Sequence, residues 1–296
     1  MTDGFDHFSP ISDSRLPTSD SQHNNNEIEI LKEGLDILCR DDPDIKSLIA
    51  PRQPEIISRL CRYISEIEKR NPVDKLVGTN DRQELIKRHI LDSLAPLGIF
   101  YSLLKNQGLQ PAKIPVENYI PQIADLGSGA GLPGIPLAIA MPDVHFTLIE
   151  RMARRCGFLR DVQKTLGLTN ITVIEAELEK LGHSFVSKKS ARQISRVPKA
   201  GFNLVTFRAF RSFEPKIVKG LFRLCTADTI ITAYKGRREK IDADIAMLEQ
   251  FAAGSGKNIV NSEKTGKSKF QYSGCEVIPC PVPLLAEERH ILVIRS

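Results

Sequence analysis

The chain has 296 residues, 41% hydrophobic and 26% charged, the composition of a soluble globular protein of one large domain or two modest ones. Its net charge of +5 permits a polyanionic partner without demanding one. No apolar run approaches the ~20 residues of a membrane span, no secretory signal is expected, and six scattered cysteines without a C-x-x-C pair fit buried thiols in a reducing cytoplasm rather than a disulfide framework or a zinc site.

Residues 1–26 are polar, rich in Ser, Asp and Asn, and without periodicity, and read as a disordered tail. From Glu27 to about Leu104 the pattern is helical. Ile28, Ile30, Leu31, Leu35, Ile37 and Leu38 predict one amphipathic helix, and Ile56, Ile57, Leu60, Cys61, Ile64 and Ile67 a second that stops at Asn71-Pro72. A further helix carries Leu85, Ile86, Ile90, Leu91 and Leu94, with His89, Asp92 and Ser93 sharing one face. Composition favours a hydrogen-bonded patch where this helix meets the main domain; the alternative is a rim of the active-site mouth. Residues 27–118 form a helical subdomain ending in a linker.

The rest of the chain is organised around residues 123–134. Ile120, Ile123 and Leu126 predict a strand, Gly127, Gly129 and Gly131 a tight turn, and Ile135, Leu137 and Ile139 a helix returning onto the sheet. A dinucleotide site spaces its glycines G-x-G-x-x-G and offers a helix N-terminus to a pyrophosphate. Here the spacing is G-x-G-x-G, and Asp125 precedes it. A carboxylate so placed opposes a pyrophosphate and suits a ligand with a positive centre, such as the amine and sulfonium of S-adenosylmethionine. The next strand, His145–Ile149, ends in Glu150, whose carboxylate is placed to accept hydrogen bonds from both ribose hydroxyls. An NAD-dependent oxidoreductase also puts an acid there, but the glycine spacing and Asp125 disfavour it.

Ile171–Ile174, Asn203–Phe207 and Thr229–Tyr234 read as the third, fourth and fifth strands, and Val277–Val282 with Ile291–Ile294 as a terminal hairpin. Ligands of such sheets bind at the carboxyl ends of the strands, which places Leu178 and Glu179 beside an adenine ring. From Lys180 to Phe213 there is no acid, and the span holds Lys188, Lys189, Arg192, Arg196, Lys199, Arg208 and Arg211, the strongest local signal of nucleic acid. The expected fold is α/β, a class I methyltransferase with a mostly parallel, Rossmann-like seven-stranded sheet over residues 119–296.

Five segments occur in one order: His89–Ser93 (HILDS), Asp125–Pro136 (DLGSGAGLPGIP), Phe207-Arg208-Ala209, Lys235-Gly236 and Glu288–Ile294 (ERHILVI). Together they closely resemble the bacterial glucose-inhibited division protein B family, small-subunit ribosomal RNA methyltransferases acting on guanine N7. The likeness covers roughly residue 50 to the C-terminus. It implies S-adenosylmethionine as cofactor, held by Asp125, Gly127, Ser128, Gly129, Gly131, Leu132, Glu150, Leu178, Glu179 and Arg208. It implies 16S rRNA, in the 30S subunit or its precursor, as partner, methylated in the 530 loop at position 527 of the standard rRNA numbering. RNA phosphates would meet Arg154, Arg155, Lys188, Lys189, Arg192, Arg196, Lys199, Arg211, Lys235, Arg237 and Arg238. The protein is expected to be a cytoplasmic monomer without a metal.

Three positions depart from the family pattern. Leu178 replaces a small residue, Glu177 replaces a basic one, and Lys75-Leu76-Val77 stands where Asn-Leu-Thr is usual. Methylation of another RNA base, or a non-catalytic RNA-binding module, are the alternatives these leave open. Guanine N7 has a free lone pair and no proton, so its methylation needs no general base. Amine methylation is disfavoured because Phe207-Arg208-Ala209-Phe210 is no Asn/Asp-Pro-Pro-aromatic loop, and Cys280 reads as structural rather than as a cytosine-attacking nucleophile.

Overall fold

The computed structural model describes residues 19–109, 119–178, 201–208, 213–254 and 272–295. Helix α1 (Ser19–Arg40) begins eight residues before Glu27, which corrects the expected limit of the tail. Once a helix is nucleated each added residue contributes one hydrogen bond, so polar first turns can be helical without an apolar stripe to announce them. Helices α2 (Pro43–Ile49) and α3 (Gln53–Asp74) follow. α3 runs through Pro72 instead of stopping at it. Proline in the last turn forfeits only one helical bond, and the turn beyond it still closes from the Lys75 N–H to the Asn71 carbonyl at 3.0 Å.

After that helix, buried Asn71 fixes the loop: its side chain accepts from the Val77 N–H at 2.9 Å and donates to the Thr79 carbonyl at 3.2 Å. The HILDS helix is three pieces in one rod, α4 (Arg82–Leu85), a π-helical turn (Ile86–Leu91) and α5 (Asp92–Leu94), followed by α6 (Leu97–Asn106). A π turn frees backbone carbonyls from the regular ladder and is frequent at functional sites.

The strands are β1 (Gln122–Leu126), β2 (His145–Glu150), β3 (Ile171–Glu175), β4 (Leu204–Phe207), β5 (Ile230–Lys235), β6 (Gly274–Pro279) and β7 (His290–Arg295). They form one sheet in the order β3-β2-β1-β4-β5-β7-β6. β1 to β5 are parallel, and β7 lies antiparallel between β5 and β6. Ile120 is exposed and outside β1, contrary to expectation. β6 also lies three residues earlier than expected; it ends at Pro279, and pairing passes to the Cys280 N–H on the Arg289 carbonyl at 2.8 Å.

Helices α7 (Gly134–Ala140) and α8 (Ala153–Leu166) cover one face, α9 (Pro215–Leu224) and α10 (Arg238–Gly254) the other. The helical subdomain adds its apolar side to the first face. Leu60, Ile64, Ile90 and Phe100 belong to the same continuous core as Ile135, Phe146 and Leu159. The HILDS rod is therefore held against the carboxyl ends of the strands, where ligands of parallel sheets bind. Its docking is polar as well as apolar: the Tyr234 hydroxyl donates to the Ser93 carbonyl at 2.8 Å, and its ring meets Phe100 edge-on.

Candidate active site

The glycine turn is built for close approach. Gly127, Gly129 and Gly131 all take positive φ. At Gly129, φ is +57°, a conformation L side chains rarely adopt, and a Cβ would make only ordinary contact, with the Gly127 carbonyl at 3.7 Å and Arg155 Nη1 at 3.9 Å. At Gly131 a Cβ would come within 2.4 Å of the Ile135 side chain, so this glycine serves helix packing. Ser128 turns inward and donates to the Asp125 carbonyl at 2.9 Å, and Leu132 is buried behind the turn. The turn also hangs from the helical subdomain: the fully buried Tyr63 of α3 donates its hydroxyl to the Ala130 carbonyl at 2.7 Å. Sequence reasoning missed Tyr63, whose position in the apolar stripe marks it only as core.

Asp125 lies wholly out of water under the turn. Its Oδ2 accepts from the Gly134 N–H at 3.0 Å, while its buried Oδ1 has no hydrogen-bond partner among the described residues. Burial, with the nearby Glu150 charge, holds its pKa up at about 7, against the pull of the Gly134 N–H, the Ser128 hydroxyl and the Arg208 charge. A buried carboxylate oxygen without a donor is the place for a cationic or hydrogen-bonding ligand group. Glu150, also buried, closes the other end of the turn. Its Oε2 accepts from the Gly129 N–H at 3.0 Å and its Oε1 from the Met152 N–H at 2.9 Å. Each oxygen keeps a second lone pair for a ribose hydroxyl. The positive-φ glycine turn, the unpartnered oxygen of Asp125 and the fixed carboxylate of Glu150 fit S-adenosylmethionine.

Leu178, expected beside the adenine, is buried and packs on α9 exactly where that helix has Gly220: a Cβ there would lie 3.1 Å from the Leu178 Cγ. The large side chain at this departure from the family pattern is accommodated by the missing one at Gly220. Glu179, Lys188, Lys189, Arg192, Arg196, Lys199 and Arg211 lie outside the described residues.

At the ends of β4 and β5, toward β7, is a cavity of about 330 Å³. It is lined by His89 and Asp92 of the HILDS rod, Arg208 at the end of β4, Tyr234 of β5, and Cys280, Arg289 and His290 around the start of β7. Arg208 is committed to the rod. Its Nη1 donates to Asp92 Oδ2 at 2.9 Å and lies 3.3 Å from the His89 carbonyl, one of those in the π turn, while its Nη2 lies 3.2 Å from His89 Nδ1. Arg289 takes the other oxygen of Asp92, Nε to Oδ1 at 3.0 Å. The rod thus provides both the polar patch that composition favoured and a wall of the cavity. Arg208 acts on the site by joining β4 to that wall. Cys280 is buried and burial pushes its thiol up to about 12, so it is inert at neutral pH.

The described basic residues flank the same edge of the sheet. Arg154 pairs with Asp74 at 3.1 Å, and Arg155 donates to the Lys75 carbonyl at 3.3 Å. Lys235 is mostly buried, paired with Asp244 at 2.6 Å and set over the Phe213 ring, which leaves it poorly placed for a phosphate. Arg238 pairs with Asp242 on the surface, and Arg237 is exposed.

Sheet order, glycine turn, buried Asp125 and strand-tip Glu150 define a class I S-adenosylmethionine-dependent methyltransferase. A family model described as GidB, rRNA small subunit methyltransferase G, matches residues 56–269. Proteins named ribosomal RNA small subunit methyltransferase G are similar throughout. That of Treponema denticola is 32% identical over 79% of this chain and 84% of its own length. That of Yersinia pseudotuberculosis serotype O:3 is 30% identical over 80% of this chain and 89% of its own. The chain belongs to the GidB family and is an S-adenosylmethionine-dependent rRNA methyltransferase.

Proposed function

We propose that the chain methylates guanine N7 in the 530 loop of 16S rRNA, acting as a cytoplasmic monomer on the 30S subunit or its precursor. The observation that carries this reading is that the two candidate bases the HILDS rod brings to the cavity are already engaged. Asp92 gives one oxygen to Arg208 and the other to Arg289, and His89 gives its Nδ1 lone pair to Arg208. With Asp92 and His89 both engaged in this way, the site suits a nucleophile that has no proton to lose, and guanine N7 is such an acceptor. Among the described helices none is long and apolar enough to cross a membrane.

When bound, S-adenosylmethionine would supply the electrophilic methyl group that the N7 lone pair takes up, its sulfur keeping the bonding pair. Asp125 and Glu150 hold its cationic and ribose ends, and the backbone at Gly127 and Gly129 makes room for it. Arg208 and Asp92 fix the cavity wall, so the rate gain comes mainly from alignment. The target base would leave its loop to enter the cavity. Arg154, Arg155, Arg237 and Arg238 are the described basic residues we assign to flanking phosphates.

The test is transfer of labelled methyl from S-adenosylmethionine to 30S subunits and to naked 16S rRNA, both lacking the endogenous modification, with the nucleotide mapped. Label at guanine N7 in the 530 loop is the expected result. Label confined to another base, or cofactor binding without transfer to either RNA, overturns the reading.

A further inference from the structure

We propose that His89 reads the target base, donating its Nε2–H to guanine O6 while N7 is left free for methyl transfer. The inference rests on the guanine-N7 reading above and adds what selects guanine.

The tautomer follows from the partner. A guanidinium only donates, so the His89 Nδ1 facing Arg208 Nη2 at 3.2 Å must accept, and the ring proton sits on Nε2. Asp92 pins that guanidinium, and the Ser93 hydroxyl donates to the His89 carbonyl at 2.6 Å, so ring and backbone are both held. Nε2 has no partner among the described residues, and His89 lines the cavity. Burial and the neighbouring Arg208 charge also push the His89 pKa down to about 4, so the ring stays neutral near pH 7.

A neutral donor suits this base. Guanine presents two adjacent acceptors on its major-groove edge, N7 and O6, whereas adenine presents N7 beside the N6 amine. One N–H directed at O6 selects guanine without occupying the N7 lone pair. An imidazolium would compete for that lone pair and would repel the cationic 7-methylguanine that forms. His290, across the cavity, has the complementary arrangement: its Nδ1 lies 2.8 Å from the Gly236 carbonyl, which can only accept, so the ring proton is on Nδ1.

The experiment compares RNA carrying guanine at the target position with RNA carrying 2,6-diaminopurine there, in the form, naked or reconstituted into 30S subunits, on which the wild-type chain is active. Diaminopurine keeps N7 and replaces O6 by an amine. Wild type is expected to prefer guanine by roughly 10- to 100-fold in kcat/KM, the fold-change equivalent of one base-edge contact. In His89→Ala the preference should fall to within about 3-fold, and His89→Gln, which restores an N–H, should regain much of it. Calorimetric S-adenosylmethionine binding checks that each variant is folded. Loss of His89 acting only through Arg208 would slow both substrates alike and leave the ratio unchanged, which overturns the assignment while the guanine-N7 reading stands. Failure of wild type to methylate guanine N7 at all removes that reading and this inference together.

Discussion

The hydroxyl of Tyr63 and the carbonyl of Ala130 meet at 2.7 Å, joining the helical subdomain to the cofactor turn across 67 residues of chain. Both residues are buried, so the bond has no competitor in water. Tyr63→Phe leaves the Ala130 carbonyl without a donor in an apolar setting, at a cost of about 1–3 kcal/mol. We expect that loss in chemical denaturation. A several-fold weaker S-adenosylmethionine affinity by calorimetry should accompany it, although Tyr63 is placed beneath the turn. Unchanged affinity would show that the turn holds its shape without the helical subdomain.

Asp125 makes cofactor binding pH-dependent. Its pKa, raised to about 7 by burial, keeps much of it protonated below neutrality in the free protein. In the free protein this group's contribution to stability is fully present below its unfolded pKa of about 3.8 and is lost as pH rises through 7. A cationic ligand reverses the balance by drawing the pKa down, so binding releases a proton. Affinity should rise about 10-fold from pH 6 to pH 8. Calorimetry in buffers of different ionisation enthalpy detects the proton, and Asp125→Asn should abolish both its release and the added pH dependence.

Gly129→Val places a β-branched side chain at φ +57°, a strained conformation, and crowds the turn beside the Gly127 carbonyl and Arg155. Loss of detectable S-adenosylmethionine binding is expected, with the rest of the fold intact by circular dichroism. Retained tight binding would move the cofactor away from Gly129.

Lys75 ends α3 in the left-handed region at φ 49°, a conformation that costs an L-residue other than Asn or Gly roughly 1 kcal/mol. The family pattern has Asn at this position. Lys75→Gly and Lys75→Asn should each raise stability, by about 0.5–1 kcal/mol, measured as a higher urea midpoint with unchanged slope.

Leu178 and Gly220 should behave as a coupled pair. Gly220→Ala crowds the Leu178 side chain at 3.1 Å and is expected to destabilise by about 1–2 kcal/mol. In the Leu178→Ala background the side-chain part of this crowding goes while the contact with the Leu178 carbonyl oxygen at 3.2 Å stays, so the same change should cost less without becoming neutral, and a double-mutant cycle gives the coupling directly. Additivity would mean that α9 yields to the extra methyl.

Most of the sheet is legible in the order of residues because its strands are short apolar runs between turn signals. Asp125, the three glycines and Glu150 were legible for the same kind of reason: they sit within one strand–turn–helix unit and at the tip of the next strand, where local spacing dictates placement. Ile120, Pro72 and the start of α1 were misread because element ends depend on one or two hydrogen bonds that leave no periodic trace.

The local chemistry of the chain was enough to specify a glycine cradle for a cationic nucleotide and a mostly parallel sheet around it, since both arise from neighbours in sequence. The cavity at the ends of β4 and β5 depends on tertiary structure, because His89, Asp92, Arg208 and Arg289 come from three distant segments and each has a bland reading alone. Packing the HILDS rod on the strand ends brings Arg208 between Asp92 and His89. That contact engages the one carboxylate, orients the imidazole and keeps it neutral. These are properties of charges held a few ångströms apart out of water, and no pattern within a single segment contains them.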